Sequence, residues 1–179
     1  MSNFSLIPFA SDALPTIEIV GTIDRADNIL SIEYQLLGEL NSVAIASPAV
    51  APSRKFALWE ATCFEFFIGV LGDRNYWEFN LSPSGDWNVF HLDDYRQGLR
   101  NETAVTSLPF DVDRSANSLT LKLGFDLSQI ISIDRQLEVS IATVIRSTQA
   151  EISYWALTHC GKEADFHSRD SFVIKLIDN

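Results

Sequence analysis

The sequence predicts an all-β chain folded as one antiparallel β-sandwich, jelly-roll-like, with little helix. Three observations carry that prediction. Short runs rich in β-branched and aromatic residues recur along the chain, and turn-forming residues separate them. Within several runs apolar and polar residues alternate, which places them on opposite faces of a strand. No heptad, internal repeat or low-complexity tract competes with this pattern. At 179 residues, with 46% hydrophobic and 21% charged residues, the chain has the size and usage of one globular domain over 1–179. A domain of that size buries about 70% of the surface of its unfolded chain.

The predicted strands, in order, are "TIEIVGTID" (16–24), "ILSIEYQLLG" (29–38), "ATCFEFFIGV" (61–70), "YWEFNLS" (76–82) and "WNVFHL" (87–92). They continue with "TAVTSL" (103–108), "SLTLKLGF" (118–125), "LEVSIATVIR" (137–146) and "FVIKLID" (172–178). The polar stretches "DRADN" and "GDRN" read as hairpin loops. "DLSQII" (126–131) reads as one helical turn with Asp126 as its N-cap. Two long stretches lack a strand pattern, "SPAVAPSRKFALWEAT" (47–62) and "THCGKEADFHSRDS" (158–171). Long ordered loops in a compact domain tend to carry function.

With 13 basic and 24 acidic residues the net charge is -11, a field that repels phosphate backbones and anionic lipid heads. Neither nucleic acid nor a membrane surface is an expected partner. No apolar run approaches the ~18 residues of a membrane helix. "MSNFSLIPFASDALP" lacks the basic and apolar regions of a secretory signal, so a cytoplasmic location is expected. Cys63 and Cys160 are read as free, buried thiols.

The candidate site starts from parity. In 61–70, Thr62, Phe64, Phe66 and Ile68 share one face; Cys63, Glu65 and Phe67 share the other. In 76–82, Trp77, Phe79 and Leu81 oppose Tyr76, Glu78 and Asn80. Joined by "LGDRN", the two strands should pair antiparallel, with Glu65, Glu78 and Asn80 close together away from the core. That face is either solvated or the floor of a pocket. Cys63 and Phe67 beside Glu65 favour the floor. Two adjacent carboxylates also repel unless a ligand, a cation or a basic side chain such as Arg96 or Lys162 lies between them.

Trp77 is expected in the core and Trp59, in a loop, exposed. An indole near carboxylates and amides suits sugar recognition, because a pyranose offers a C–H face for stacking and hydroxyl edges for hydrogen bonds. His91, His159 and His167 lack ligand spacing, so no metal is expected. No G-x-S-x-G is present. Calcium on the "DRADN" or "HLDD" carboxylates is disfavoured against turn use.

Three ordered motifs, "LWEATCFEFF", "YWEFNLSPSGDWNVFHLDDYRQG" and "YWALTHCGKEADFHSRDSF", resemble bacterial DOMON-like proteins related to family 9 carbohydrate-binding modules. The resemblance spans about residues 58 to 176. It implies a β-sandwich that clamps a sugar end between two aromatic rings. Trp59 matches the first ring and Glu65 an acid that binds hydroxyls; Glu78 and Asn80 lie where the neighbouring strand adds polar contacts. The C-terminal loop holds no tryptophan, so Phe166 or His167 takes the second ring's place. On this reading Lys162 and Arg96 join the hydrogen bonding, and His159, Asp165 and Arg169 shape the loop. The ligand is then a small sugar or polyol, and the module is non-catalytic and needs no cofactor. Rival readings are a haem-binding DOMON module, an enzyme using Glu65 or Glu78 with His159, and a module that binds a protein partner at a sheet edge. Haem is disfavoured because the only methionine is Met1.

Overall fold

The computed structural model describes residues 1–10 and 14–177. Its strands are β1 (Ser2–Ser5), β2 (Ile7–Pro8), β3 (Ile17–Ala26), β4 (Ile29–Gly38), β5 (Cys63–Val70), β6 (Tyr76–Leu81) and β7 (Trp87–Leu92). They are followed by β8 (Arg100–Asn101), β9 (Asp111–Arg114), β10 (Ser118–Asp126), β11 (Leu137–Arg146), β12 (Ile152–Ala156) and β13 (Ile174–Leu176). Short 3-10 turns at Leu40–Ser42, Leu58–Glu60, Leu127–Gln129 and Arg169–Ser171 are the only helical elements among the described residues. None is long and apolar enough to cross a membrane.

Two antiparallel sheets face each other. The smaller runs β1-β3-β4-β10-β9; the larger runs β2-β12-β11-β5-β6-β7-β8, with β13 on β11 beside β12. Alternation explains the smaller sheet. Along β4 Leu30, Ile32, Tyr34 and Leu36 are buried, and along β10 Leu119, Leu121, Leu123 and Phe125 are buried, while their neighbours face outward. Their partners are Phe64, Phe66 and Ile68 of β5 and Trp77, Phe79 and Leu81 of β6. Phe66 stacks on Phe79 at 4.4 Å, and Phe125 meets Phe79 edge-on from the opposite sheet. Tyr34, fully buried, donates its hydroxyl to the Glu65 carbonyl at 2.8 Å and so ties the two sheets together.

β5 and β6 are buried on both faces. A second apolar cluster, with Phe67, Tyr76, Phe90, Ala142, Val144, Phe166 and Phe172, covers the outer face of the larger sheet. Its roof comes from the two long loops.

Several expectations need correction. Residues 103–108 form no strand. The Arg54 guanidinium takes the carbonyls of Glu102 and Val105, so no neighbouring strand receives them. The last strand is confined to Ile174–Leu176, and residue 178 lies outside the described residues. β12 and the short strands β1, β2, β8 and β9 were not anticipated. Both cysteines are free, but only Cys63 is buried; Cys160 is exposed. The turn after β10 forms as expected, with the Asp126 carboxylate accepting from the Ser128 N–H.

Candidate functional site

Register places the site. Across the larger sheet Glu65 lies opposite Asn80 on one side and Ala142 on the other, and Ala142 in turn faces Ala156. The parallel row runs Ser140, Phe67, Glu78, Phe90. Small side chains thus continue the row beside Glu65. Above the Glu65 and Glu78 rows lies a cavity of about 540 Å³ lined by Trp59, Glu65, Glu78, Arg96, Leu99, Val144, Tyr154, Glu163, Ala164, Phe166 and His167.

Trp59 sits on the 3-10 turn Leu58–Glu60, which follows Ala57 in left-handed backbone at φ 58°. A non-glycine residue there costs about 1–2 kcal/mol, and the kink it makes turns the chain over the sheet. The half-buried indole is propped edge-on by Phe56 at 5.1 Å and tilted against Phe90 at 5.8 Å. Phe166 and Tyr154, in edge contact at 6.0 Å, form part of the same lining.

Glu65 and Glu78 are 3% and 4% exposed. Asn80 donates from Nδ2 to Glu78 Oε1 at 2.7 Å, and Glu65 Oε1 has no hydrogen-bond partner. Burial, and then the neighbouring Glu78 charge, push Glu65 well above the usual carboxylate range. Burial also raises Glu78, although the Asn80 hydrogen bond and the Arg96 charge pull it back, and the outcome is about 7. Near neutral pH the pair therefore retains a proton.

His167 Nε2 lies 4.0 Å from Glu78 Oε2. The Arg96 backbone N–H donates to the Tyr76 hydroxyl at 3.2 Å, and that hydroxyl bonds His167 Nδ1 at 2.9 Å. Nδ1 is thereby engaged by the Tyr76 hydroxyl, and Nε2 is the ring nitrogen that faces Glu78. Burial, then the Arg96 charge, lower the His167 pKa to about 4. The imidazole is neutral across the working range.

Asp165 buckles the C-terminal loop to the turn after β7. Tyr95 Oη and Arg96 Nη2 donate to its two oxygens at 2.7 and 2.9 Å, and the His167 N–H adds a third bond at 3.0 Å. Burial alone would raise Asp165; these donors outweigh it and hold the carboxyl below its ordinary value. Arg96 itself has left-handed backbone at φ 51°.

The structure thus brings Trp59, Glu65, Glu78, Arg96, Phe166 and His167 around one cavity. Other candidates lie elsewhere. Asn80, fully buried, sits behind Glu78 with the Cys63 thiol 3.6 Å from its Oδ1. Lys162 is exposed on the rim, in a shallower depression beside Tyr95 and Asp165. His159 Nε2 bonds the Ile7 carbonyl at 2.9 Å, so this side chain fastens the β2 segment. Arg169 anchors the loop to the sheet through Glu138 and the Val70 carbonyl, lying over Phe172 and pressed on Gly69, where no Cβ fits. Leu99, Val144, Tyr154, Glu163 and Ala164 were not foreseen in the lining. Val144 and Tyr154 share the parity of Cys63 through register, a signal available only once β12 is known. Among the described residues no group of three His, Cys, Asp or Glu side chains is arranged for a metal ion. Met1 is exposed at the chain end, paired with Asp24.

No family model and no curated protein matches the chain. Solved structures do. A putative carbohydrate-binding protein from Bacteroides uniformis ATCC 8492 superposes with a TM-score of 0.76 at 16% identity, over 99% of this chain and 86% of the other. A family 9 carbohydrate-binding module from Caldicellulosiruptor kristjanssonii, in complex with glucose, gives 0.58 at 10% identity, over 94% and 80% of the two chains. The same kind of module from that organism, in complex with cellotriose, gives 0.57 at 11% identity, over 98% and 83%. The chain has the β-sandwich fold of family 9 carbohydrate-binding modules.

Proposed function

We propose that the cavity over Glu65 and Glu78 binds a small sugar or polyol and performs no chemistry on it. The observation that carries this reading is a half-buried indole, Trp59, set in one cavity with two buried carboxylates, one of which has an oxygen without a partner. A ring face can stack on the indole while hydroxyl edges donate to Glu65 and Glu78. Phe166 and Tyr154 supply the second aromatic surface, His167 offers its Nε2, and Arg96 donates from the rim. The volume falls within the roughly 300–1,000 Å³ of small-molecule sites. The sugar complexes of the family 9 modules support the same reading. Asn80, Asp165 and Arg169 act at one remove, by fixing Glu78 and the loop.

A thermal-shift screen of mono- and disaccharides tests it. A ligand at a hundredfold excess over Kd stabilises by about 2.7 kcal/mol, so weak binders register at millimolar sugar. Stabilisation of wild type by at least one sugar, cut to about half in Trp59→Ala at the same sugar concentration, is expected. Silence across the panel, or release of nitrophenol from aryl glycosides by the purified protein, contradicts the proposal.

A further inference from the structure

We infer that the site selects a sugar bearing an ammonium group, an amino sugar in its cationic form, with the ammonium seated on Glu65 and Glu78 and the ring against Trp59. This rests on the sugar-binding reading and narrows it.

The argument concerns countercharge. Glu65 and Glu78 are more than nine-tenths buried and line one cavity floor, and the exposed Glu163 is a third acidic residue of the lining. Two buried carboxylates cannot both ionise unless a cation compensates them. The lining offers them only the Arg96 charge, which acts on Glu78. Arg96, the one basic residue in the lining, gives its guanidinium to Asp165 at 2.9 Å. Lys162 stays on the exposed rim. Without ligand the pair retains a proton instead, as the upward displacement of both carboxyls indicates.

Unmet acceptors point the same way. Glu65 Oε1 has no partner, and the imidazole nitrogen that faces Glu78 Oε2 is 4.0 Å away, beyond a normal hydrogen bond. A hydroxyl brings one donor and no charge. An ammonium brings three donors and the missing charge, so it can bridge both carboxylates while their proton leaves. The aromatic surfaces of Trp59, Phe166 and Tyr154 in the lining also attract a cation. Hydrogen bonds to charged groups exceed neutral ones by enough for about a tenfold preference.

Isothermal titration of the full chain near neutral pH decides the matter. The probes are glucose, 2-amino-2-deoxyglucose, 6-amino-6-deoxyglucose and the two N-acetylated forms, which keep the nitrogen and lose the charge. At least one amino sugar should bind about tenfold or more tightly than glucose and than its own N-acetyl form. Its heat should vary with the ionisation enthalpy of the buffer, showing proton release. In Glu65→Gln the preference over glucose should shrink to about twofold or less. The wild-type comparison with the N-acetyl forms stands even if that variant does not fold. If glucose or the N-acetyl sugars bind as tightly as both amino sugars, sugar binding survives and the cationic preference is overturned. If none of the five binds, both readings fall together.

Discussion

Replacing Glu78 by glutamine should stabilise the protein at alkaline pH and leave it nearly unchanged in acid. Glu78 is 4% exposed, and its pKa rises from 4.5 to about 7. The native state therefore holds a proton between those values that the unfolded chain has released. Stability from this group is fully present below pH 4.5 and is lost as pH climbs through 7. A rise of about 2.5 in pKa, at about 1.4 kcal/mol per pH unit, corresponds to about 3 kcal/mol. Glutamine has the same shape, can still accept from Asn80 Nδ2 and carries no charge, so it escapes that loss. It also lifts the Glu78 charge from Glu65, whose raised pKa works in the same direction. His167 opposes in the wild type. Its pKa is lowered from 6.5 to about 4, so its contribution is lost as pH falls from 6.5 towards 4. Subtracting the two proteins' unfolding free energies at each pH isolates Glu78. Urea unfolding from pH 4.5 to about 8.5 should show a gap growing from near zero to about 3 kcal/mol in favour of Glu78→Gln. In melting temperature that is about 6–12 °C for a chain of this size. A gap that stays flat with pH, or a variant less stable than wild type at pH 8.5, would refute the buried-pair argument.

Other consequences follow from the same geometry. Phe79→Ala removes a fully buried ring stacked on Phe66 and should cost about 3–5 kcal/mol by urea unfolding; a loss below about 1 kcal/mol would contradict that packing. Trp59→Ala should leave folding intact, because the indole is only partly buried, yet weaken sugar binding by about tenfold through lost stacking; unchanged affinity would remove Trp59 from the site. The His167 ring should titrate near pH 4 by NMR and stay neutral above about pH 5, whereas half-protonation near 6.5 would mean it is not enclosed as described. Chelator should leave the melting temperature unchanged, since no three-ligand group exists among the described residues; a chelator-induced drop would reveal a metal.

The parts of this structure legible in the sequence are those where one period ran long enough to be seen. β4, β7 and β11 have the predicted bounds, and parity led to the antiparallel pairing of β5 with β6 that brings Glu65, Glu78 and Asn80 together on one face. Strands of two to four residues, such as β2, β8 and β9, have no period to detect. β12 was masked by the aromatic and loop residues that follow it in its motif. "TAVTSL" looked like a strand, but Arg54, 51 residues upstream of Val105, bonds its carbonyl, and no local pattern foretells such a bond. In the site, the carboxylate floor was readable while the hollow above it was not. That hollow is bounded by Trp59 from one long loop and by Ala164, Phe166 and His167 from the other, which only the tertiary fold brings together. Charged loop residues looked interchangeable in sequence. Folding assigns Arg169 to Glu138, His159 to the Ile7 carbonyl and Asp165 to Arg96, each a fastening of backbone or loop that depends on tertiary placement.

The central claim, that a sugar stacks on Trp59 above the Glu65–Glu78 floor, meets its most direct test in the four tryptophan indole N–H signals of 15N-labelled protein. Trp77, Trp87 and Trp155 are buried at 7%, 5% and 5% exposure, and the Trp77 and Trp155 indoles donate to Glu102 and Ser153. Trp59 alone lines the cavity. Titration with glucose and with 2-amino-2-deoxyglucose should move the Trp59 indole signal in a saturable way with at least one of them and leave the other three in place. A Trp59 signal that stays fixed with both sugars, or saturable shifts confined to the other tryptophans, would contradict the account.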